Sequence, residues 1–153
     1  MMNPMRTLLV GSSGGHLAQL HQLKPWWERH DRKWVTFEKP DAISLLAGED
    51  TEWAYQPTTR NIPNLLRNLR LSWQVLRRYR PDVVVSTGAG CAFPFFVMAK
   101  LMRMKTVYVE VYDRIDSKPL TSKLCYPFSD LFLVQRDEQQ KLYPKSQVIG
   151  RLF

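Results

Sequence analysis

The segment Thr7-Leu8-Leu9-Val10-Gly11-Ser12-Ser13-Gly14-Gly15-His16 constrains this chain more than any other stretch. Thr7 to Val10 is a short apolar run that reads as a buried parallel strand. It breaks at Gly11, crosses two serines and two further glycines, and enters an amphipathic run near His16. Strand, glycine loop and helix in this order predict the first unit of a parallel α/β sheet. Glycines let backbone N–H groups approach an anion closely, and the new helix turns its positive end toward it. Ser12 and Ser13 can cap that helix or donate to phosphate oxygens. A tight structural turn without a ligand satisfies the same pattern. Gly11, Gly14 and Gly15 do not fit the G-x-G-x-x-G dinucleotide spacing, and no Gly-Lys-Ser/Thr follows. Glu38, closing the second strand, stands where a ribose-binding acid would sit.

The rest of the chain repeats the alternation. A helix is expected from about Gly15 to Arg29, with Leu17, Leu20 and Leu23 inward and Pro25 ending or kinking it. Strands follow at 33–37 and 53–55, separated by a short helix over 42–47. A long helix spans Arg60 to Arg80, with Leu66, Leu69, Trp73 and Leu76 as its buried stripe. Asp82 to Ser86 is a fourth strand that runs into a second glycine loop, Thr87-Gly88-Ala89-Gly90. A fifth strand, Thr106 to Val109, ends at Glu110; strands at 130–134 and 147–149 flank a short helix over 136–143. The prediction is one doubly wound parallel sheet, Rossmann-like, in a single domain over residues 1–153. In such a sheet the carboxyl ends of the strands line the ligand crevice. Strands one, four and five bring 11–16, 87–90 and 110–114 there, and this convergence of three polar loops predicts the site.

Lys and Arg number 22 against 14 Asp and Glu, a net charge of +8, which implies an anionic partner without choosing among phosphorylated substrate, nucleic acid and membrane surface. Much of the excess lies in Arg60, Arg67, Arg70, Arg77, Arg78 and Arg80, and no acidic residue occurs between Glu52 and Asp82. A basic amphipathic helix of this kind either lies on anionic lipid or shows a solvated arginine face. Cys91 to Ala99, containing Phe93, Phe95 and Phe96, is apolar all round: core packing or a lipid-facing patch. Cys91 and Cys125 sit in apolar surroundings and read as reduced core thiols of a cytosolic protein. No signal peptide is seen, and no apolar run reaches the ~20 residues of a membrane span, so any membrane contact is expected to be peripheral.

The loops, taken together, resemble a known family. Gly11-Ser12-Ser13-Gly14-Gly15-His16 followed by Leu20, Thr87-Gly88-Ala89-Gly90 with Pro94, Glu110 with Arg114, Ser122 to Tyr126, Asp130 to Gln135, and Tyr143-Pro144 with Gly150 occur in the order found in the acceptor-side subunits of split UDP-sugar glycosyltransferases. A eukaryotic member acts in dolichol-linked oligosaccharide synthesis, and bacterial members act in capsule and exopolysaccharide assembly. The resemblance spans essentially the whole chain. It implies the amino-terminal half of a GT-B glycosyltransferase: a domain that binds a lipid-diphosphate sugar acceptor, inactive alone, with the UDP-sugar held by a separate donor-binding subunit.

The same resemblance implies residue roles. Gly11, Ser12, Ser13, Gly14, Gly15, Thr87, Gly88, Gly90 and Arg114 bind the acceptor diphosphate. His16 is the first candidate for general base or hydroxyl positioning, and Glu110 is the rival base or the group that orients the histidine. The chemistry is inverting and needs neither cofactor nor metal. Eukaryotic members carry an amino-terminal membrane helix, and none is expected here. Attachment to an anionic membrane surface, on the inner face of the cell membrane, is therefore expected from Arg67, Arg70, Arg77, Phe93, Phe95 and Phe96. A recruitment subunit without catalytic residues is the alternative. Nucleic acid is not an expected partner, because no nucleic-acid motif accompanies the basic helix and the glycine loops would go unexplained.

Overall fold

A computed structural model describes residues 3–113 and 118–152. Arg114, expected as a phosphate clamp, lies outside the described residues. The strands are β1 (Arg6–Gly11), β2 (Asp31–Thr36), β3 (Thr51–Trp53), β4 (Val83–Gly88), β5 (Lys105–Val109), β6 (Leu131–Val134) and β7 (Gln147–Val148). They form one sheet in the order β3-β2-β1-β4-β5-β6-β7, parallel in every pairing. The strand order reverses between β1 and β4, which opens a crevice at their carboxyl ends.

The helices are α1 (Gly15–His21), α2 (Lys24–Trp27), α3 (Pro40–Leu45), α4 (Ile62–Tyr79), α5 (Ala92–Leu101), α6 (Leu120–Cys125) and α7 (Asp137–Leu142). Alternate residues along each strand feed two cores. Leu8, Val10, Val84, Tyr108 and Phe132 point to the α4–α5 side, where Val75, Leu76, Phe95, Phe96 and Ala99 cover them. Leu9, Trp34, Val85 and Val109 point to the other side, against Leu17, Leu20, Trp27 and Ala42. Burial on both faces explains the unbroken apolar runs of β1 and β4.

Three expectations need correction. The first helix does not run to Arg29: α1 stops at His21, and Pro25 sits in the first turn of the separate α2, where its missing N–H costs nothing. The third strand lies two residues earlier than expected, over Thr51–Trp53.

The third correction concerns α4. Leu76 is buried, but Leu66 is 60% exposed and Trp73 43% exposed. The inward face is Asn64, Asn68, Ser72, Val75 and Leu76. The cause is the irregular segment after β3, whose backbone polar groups need partners. Asn68 accepts from the Tyr55 N–H (2.9 Å) and donates to the Tyr55 carbonyl (3.0 Å). Asn64 donates to the Pro57 carbonyl at 2.8 Å. With two asparagines committed to that strap, Leu66 and Trp73 of the expected stripe face outward while Leu76 stays buried.

Candidate functional site

β4 carries Thr87 and Gly88 to the carboxyl end of the sheet, beside β1 and the start of α1. Thr87 holds His16 at two points. Its hydroxyl donates to the His16 carbonyl at 2.6 Å, and its own carbonyl lies 2.9 Å from His16 Nδ1. A carbonyl only accepts, so Nδ1 carries the proton in that bond. In the neutral ring Nε2 is then left with its lone pair as the proton acceptor.

His16 and Ser12 form part of the floor of a cleft of about 570 Å³. Its walls come from the β3–α4 connection with the start of α4, from the start of α5, and from α6. Two glycines make the fit. Gly88 has φ +100°, and a Cβ there would stand 2.6 Å from the Tyr108 hydroxyl. A Cβ on Gly90 would meet the Thr58 hydroxyl oxygen at 2.0 Å. Glycine at these places lets Tyr108 and Thr58 close over the loop.

The first glycine loop is arranged otherwise. Ser12 lines the cleft, but its N–H donates to the Gly88 carbonyl (3.0 Å). The N–H of Gly14 donates to the Asp41 carboxylate at 2.7 Å. An amide expected to face a phosphate thus already holds an anion, supplied by α3. Gly14 and Gly15 are exposed and Gly11 is buried. Among the expected diphosphate contacts, the cleft lining includes Ser12 and Gly90, with His16 beside them.

Glu110 lies beneath this floor, only 1% exposed. One carboxylate oxygen accepts from the Val111 N–H (3.0 Å) and the other from the Tyr143 hydroxyl (2.9 Å). Burial raises its pKa, and hydrogen bonds from Ser122, Tyr143 and Val111 oppose that rise. Ser122 also bonds the Tyr108 hydroxyl at 3.0 Å, so a buried polar chain runs from the cleft wall to Glu110. Burial drives the Tyr108 phenol well above its ordinary value. Cys91 and Cys125 are free and buried, as expected of core thiols, and burial pushes the Cys91 thiol up to about 12.

Of the expected membrane residues, Phe95 and Phe96 are fully buried in the α4–α5 core and cannot meet lipid. They were apolar because they are core. Phe93 lines the cleft and packs edge-on against Phe128. Arg67, Arg70 and Arg77 are exposed on α4, Arg67 donating to Asn64 and Arg77 lying over the Trp73 ring. Residue patterning missed Thr58, Arg60, Asn61 and Ile62, which form one cleft wall. Their signal was a polar run, Thr58-Thr59-Arg60-Asn61, between a strand and the Asn61-capped helix.

No helix among the described residues is long and apolar enough to cross a membrane, and no metal-binding cluster occurs among them. Solved structures with this fold include Acinetobacter baumannii MurG (TM-score 0.75, 13% identity), which covers 88% of this chain, with 43% of that protein covered in turn. A Staphylococcus aureus MnaA–UDP structure matches with TM-score 0.77 and 13% identity over 97% of this chain and 45% of that one. The domain thus corresponds to one half of the GT-B architecture. Among curated proteins, the human UDP-N-acetylglucosamine transferase subunit ALG14 is 32% identical over 95% of this chain and 82% of its own length. The Candida albicans subunit of the same name is 25% identical over 96% and 77%. A Halalkalibacterium halodurans N-acetylglucosamine transferase, named for a pyrophosphoryl-undecaprenol substrate, is 23% identical over 91% of this chain and 42% of itself. Residues 54–152 match the family model described as oligosaccharide biosynthesis protein Alg14 like, and the chain belongs to that family.

Proposed function

We propose that this chain is the acceptor-binding subunit of a two-component inverting glycosyltransferase in polysaccharide or lipid-linked oligosaccharide synthesis. The observation that carries the reading is the Thr87 clamp, which fixes the tautomer of His16 at the floor of an open cleft. An acceptor sugar hydroxyl placed there donates its proton to Nε2 as its oxygen attacks the anomeric carbon of a UDP-sugar. The new glycosidic bond forms, the anomeric carbon–phosphate oxygen bond breaks, and UDP leaves. Glu110 acts through position: its oxygens are engaged in the core, beneath the histidine. The acceptor's diphosphate falls to Ser12, Gly90 and the Arg60 side of the cleft.

The donor is supplied by a partner subunit. The relatives' designation as subunits supports this, and so does the open cleft, because sugar transfer must exclude water to avoid hydrolysing the donor. No cofactor is required. The membrane face is α4, where Ile62, Leu66 and Trp73 are exposed between Arg67, Arg70 and Arg77. That arrangement suits the anionic inner surface of a cell membrane.

Reconstitution with the partner, UDP-N-acetylglucosamine and a lipid-diphosphate acceptor tests the assignment. His16→Ala should lower turnover at least ~100-fold while the two subunits still co-purify. Undiminished turnover would instead make this a recruitment subunit.

A further inference from the structure

Thr87 grips α1 from the side of β4. The helix is only seven residues long, its N-cap Gly14 has no side chain, and no acidic residue stands in its first turn, so little within it fixes its place. Leu17 and Leu20 anchor its underside in the core. A second polar hold lies on Gln19, three residues beyond His16 and so its neighbour on the helix surface. Gln19 Oε1 accepts from the Tyr112 N–H at 3.0 Å and from Gln135 Nε2 at 2.7 Å.

Gln135 follows β6 and is buried. Its Nε2 donates to Gln19 and also to the Glu110 carbonyl at 3.0 Å, while its Oε1 accepts from the Leu152 N–H at 3.1 Å. Turned over, the amide would set its oxygen against two oxygens and its nitrogen against an N–H, so one orientation alone fits. Gln139 of α7 holds it from behind: its Oε1 accepts from the Gln135 N–H (2.9 Å), and its Nε2 donates to the Val111 carbonyl (2.7 Å). Glutamine amides thus tie α1 to the carboxyl ends of β5 and β6 and to the segment at Leu152. A buried network with its partners in place specifies one arrangement where apolar contact allows several. We propose that Gln19 and Gln135 are positioning residues for sugar transfer: their hydrogen bond sets α1 against β5 and β6, and so places the His16 imidazole for the attacking hydroxyl. The assignment rests on His16 being the proton acceptor, as read above.

Donor and acceptor roles give the test its sign. Gln19 only accepts from these two partners, so Gln19→Glu keeps both bonds; Gln135 must donate, so Gln135→Glu, of the same shape, cannot. In the reconstituted enzyme Gln19→Leu and Gln135→Glu should each lower kcat at least ~10-fold with the acceptor's KM unchanged, because a misplaced catalytic group costs rate rather than binding. Gln19→Glu should keep its turnover. Gln19 is half-buried, so Gln19→Leu keeps the fold even where a change at Gln135 does not. Nitrogen NMR of the full chain by itself adds a reading independent of the partner. His16 should show the Nδ1–H tautomer in the unaltered protein and in Gln19→Glu, and a mixture of tautomers in Gln19→Leu. Full kcat and an unchanged tautomer in Gln19→Leu, with His16→Ala inactive, overturn the assignment and leave His16 as the base. Equal losses in Gln19→Glu and Gln19→Leu overturn it too, since accepting those two bonds would then not matter. Full turnover in His16→Ala removes the reading beneath it.

Discussion

The two glycine loops at the carboxyl ends of β1 and β4 are neighbours with opposite uses for glycine. In the first, Gly14 has φ +81° and nothing within 4 Å of where a Cβ would stand. Its glycine serves the turn and leaves the backbone exposed, with Asp41 already bound to its N–H. In the second, Gly88 and Gly90 lie under Tyr108 and Thr58, with no room for a methyl group. Gly14 is free in space and constrained in conformation; Gly90 is constrained by contact and Gly88 by both. His16 joins them, since it begins the helix after the first loop and is gripped by Thr87 of the second. A glycine-rich pattern therefore does not reveal which loop holds a ligand and which holds a side chain.

The contrast should be largest for Gly88→Ala. Positive φ and the Tyr108 hydroxyl at 2.6 Å act together there, and thermal or urea unfolding should show a loss of about 3 kcal/mol. A loss below ~1 kcal/mol would mean that the second loop yields as readily as the first. Thr87→Val removes the 2.6 Å bond to the His16 carbonyl but keeps the Thr87 carbonyl. It should cost about 1 kcal/mol of stability, with a fall in turnover of the reconstituted enzyme. Unaltered turnover would detach the clamp from the chemistry. Gly14→Ala meets only the backbone penalty, and its effect should stay near ~1 kcal/mol.

Glu110 supplies a pH signature beneath the second loop. Its folded pKa is raised, so the native state holds that proton more tightly than the unfolded chain does. Its contribution to stability is then full below the ordinary carboxyl value near 4.5 and is lost as pH rises through the raised native value. Urea unfolding from pH 4.5 upward should show the native protein falling relative to Glu110→Gln over that window. Parallel curves would mean that the buried carboxylate is fully compensated by Ser122, Tyr143 and Val111.

The comparison also marks how far residue patterning reaches. Buried parallel strands announce themselves, because a strand covered on both faces must be apolar at successive positions, as β1 and β4 are. The loops between them were locatable for the same reason, and His16 stands in the cleft as its place after the first loop implied. The phase of α4 was not legible. Two stripes of helical spacing compete in it, Leu66-Leu69-Trp73 and Asn64-Asn68-Ser72, and hydrophobicity alone favours the first. The unmet backbone groups around Tyr55 and Pro57 favour the second, and they exist only once β3 has packed.

The alternation of buried strands with helices and the position of the glycine loops follow from local composition, since burial pattern and turn chemistry are written residue by residue. The tertiary structure alone decided which loop amides were already taken, which face of α4 looked outward, and which tautomer His16 adopts. Each of these depends on a partner distant in the chain: Asp41 for Gly14, Tyr55 for Asn68, Thr87 for His16. A hydrogen bond between distant residues has no signature in the spacing of either one.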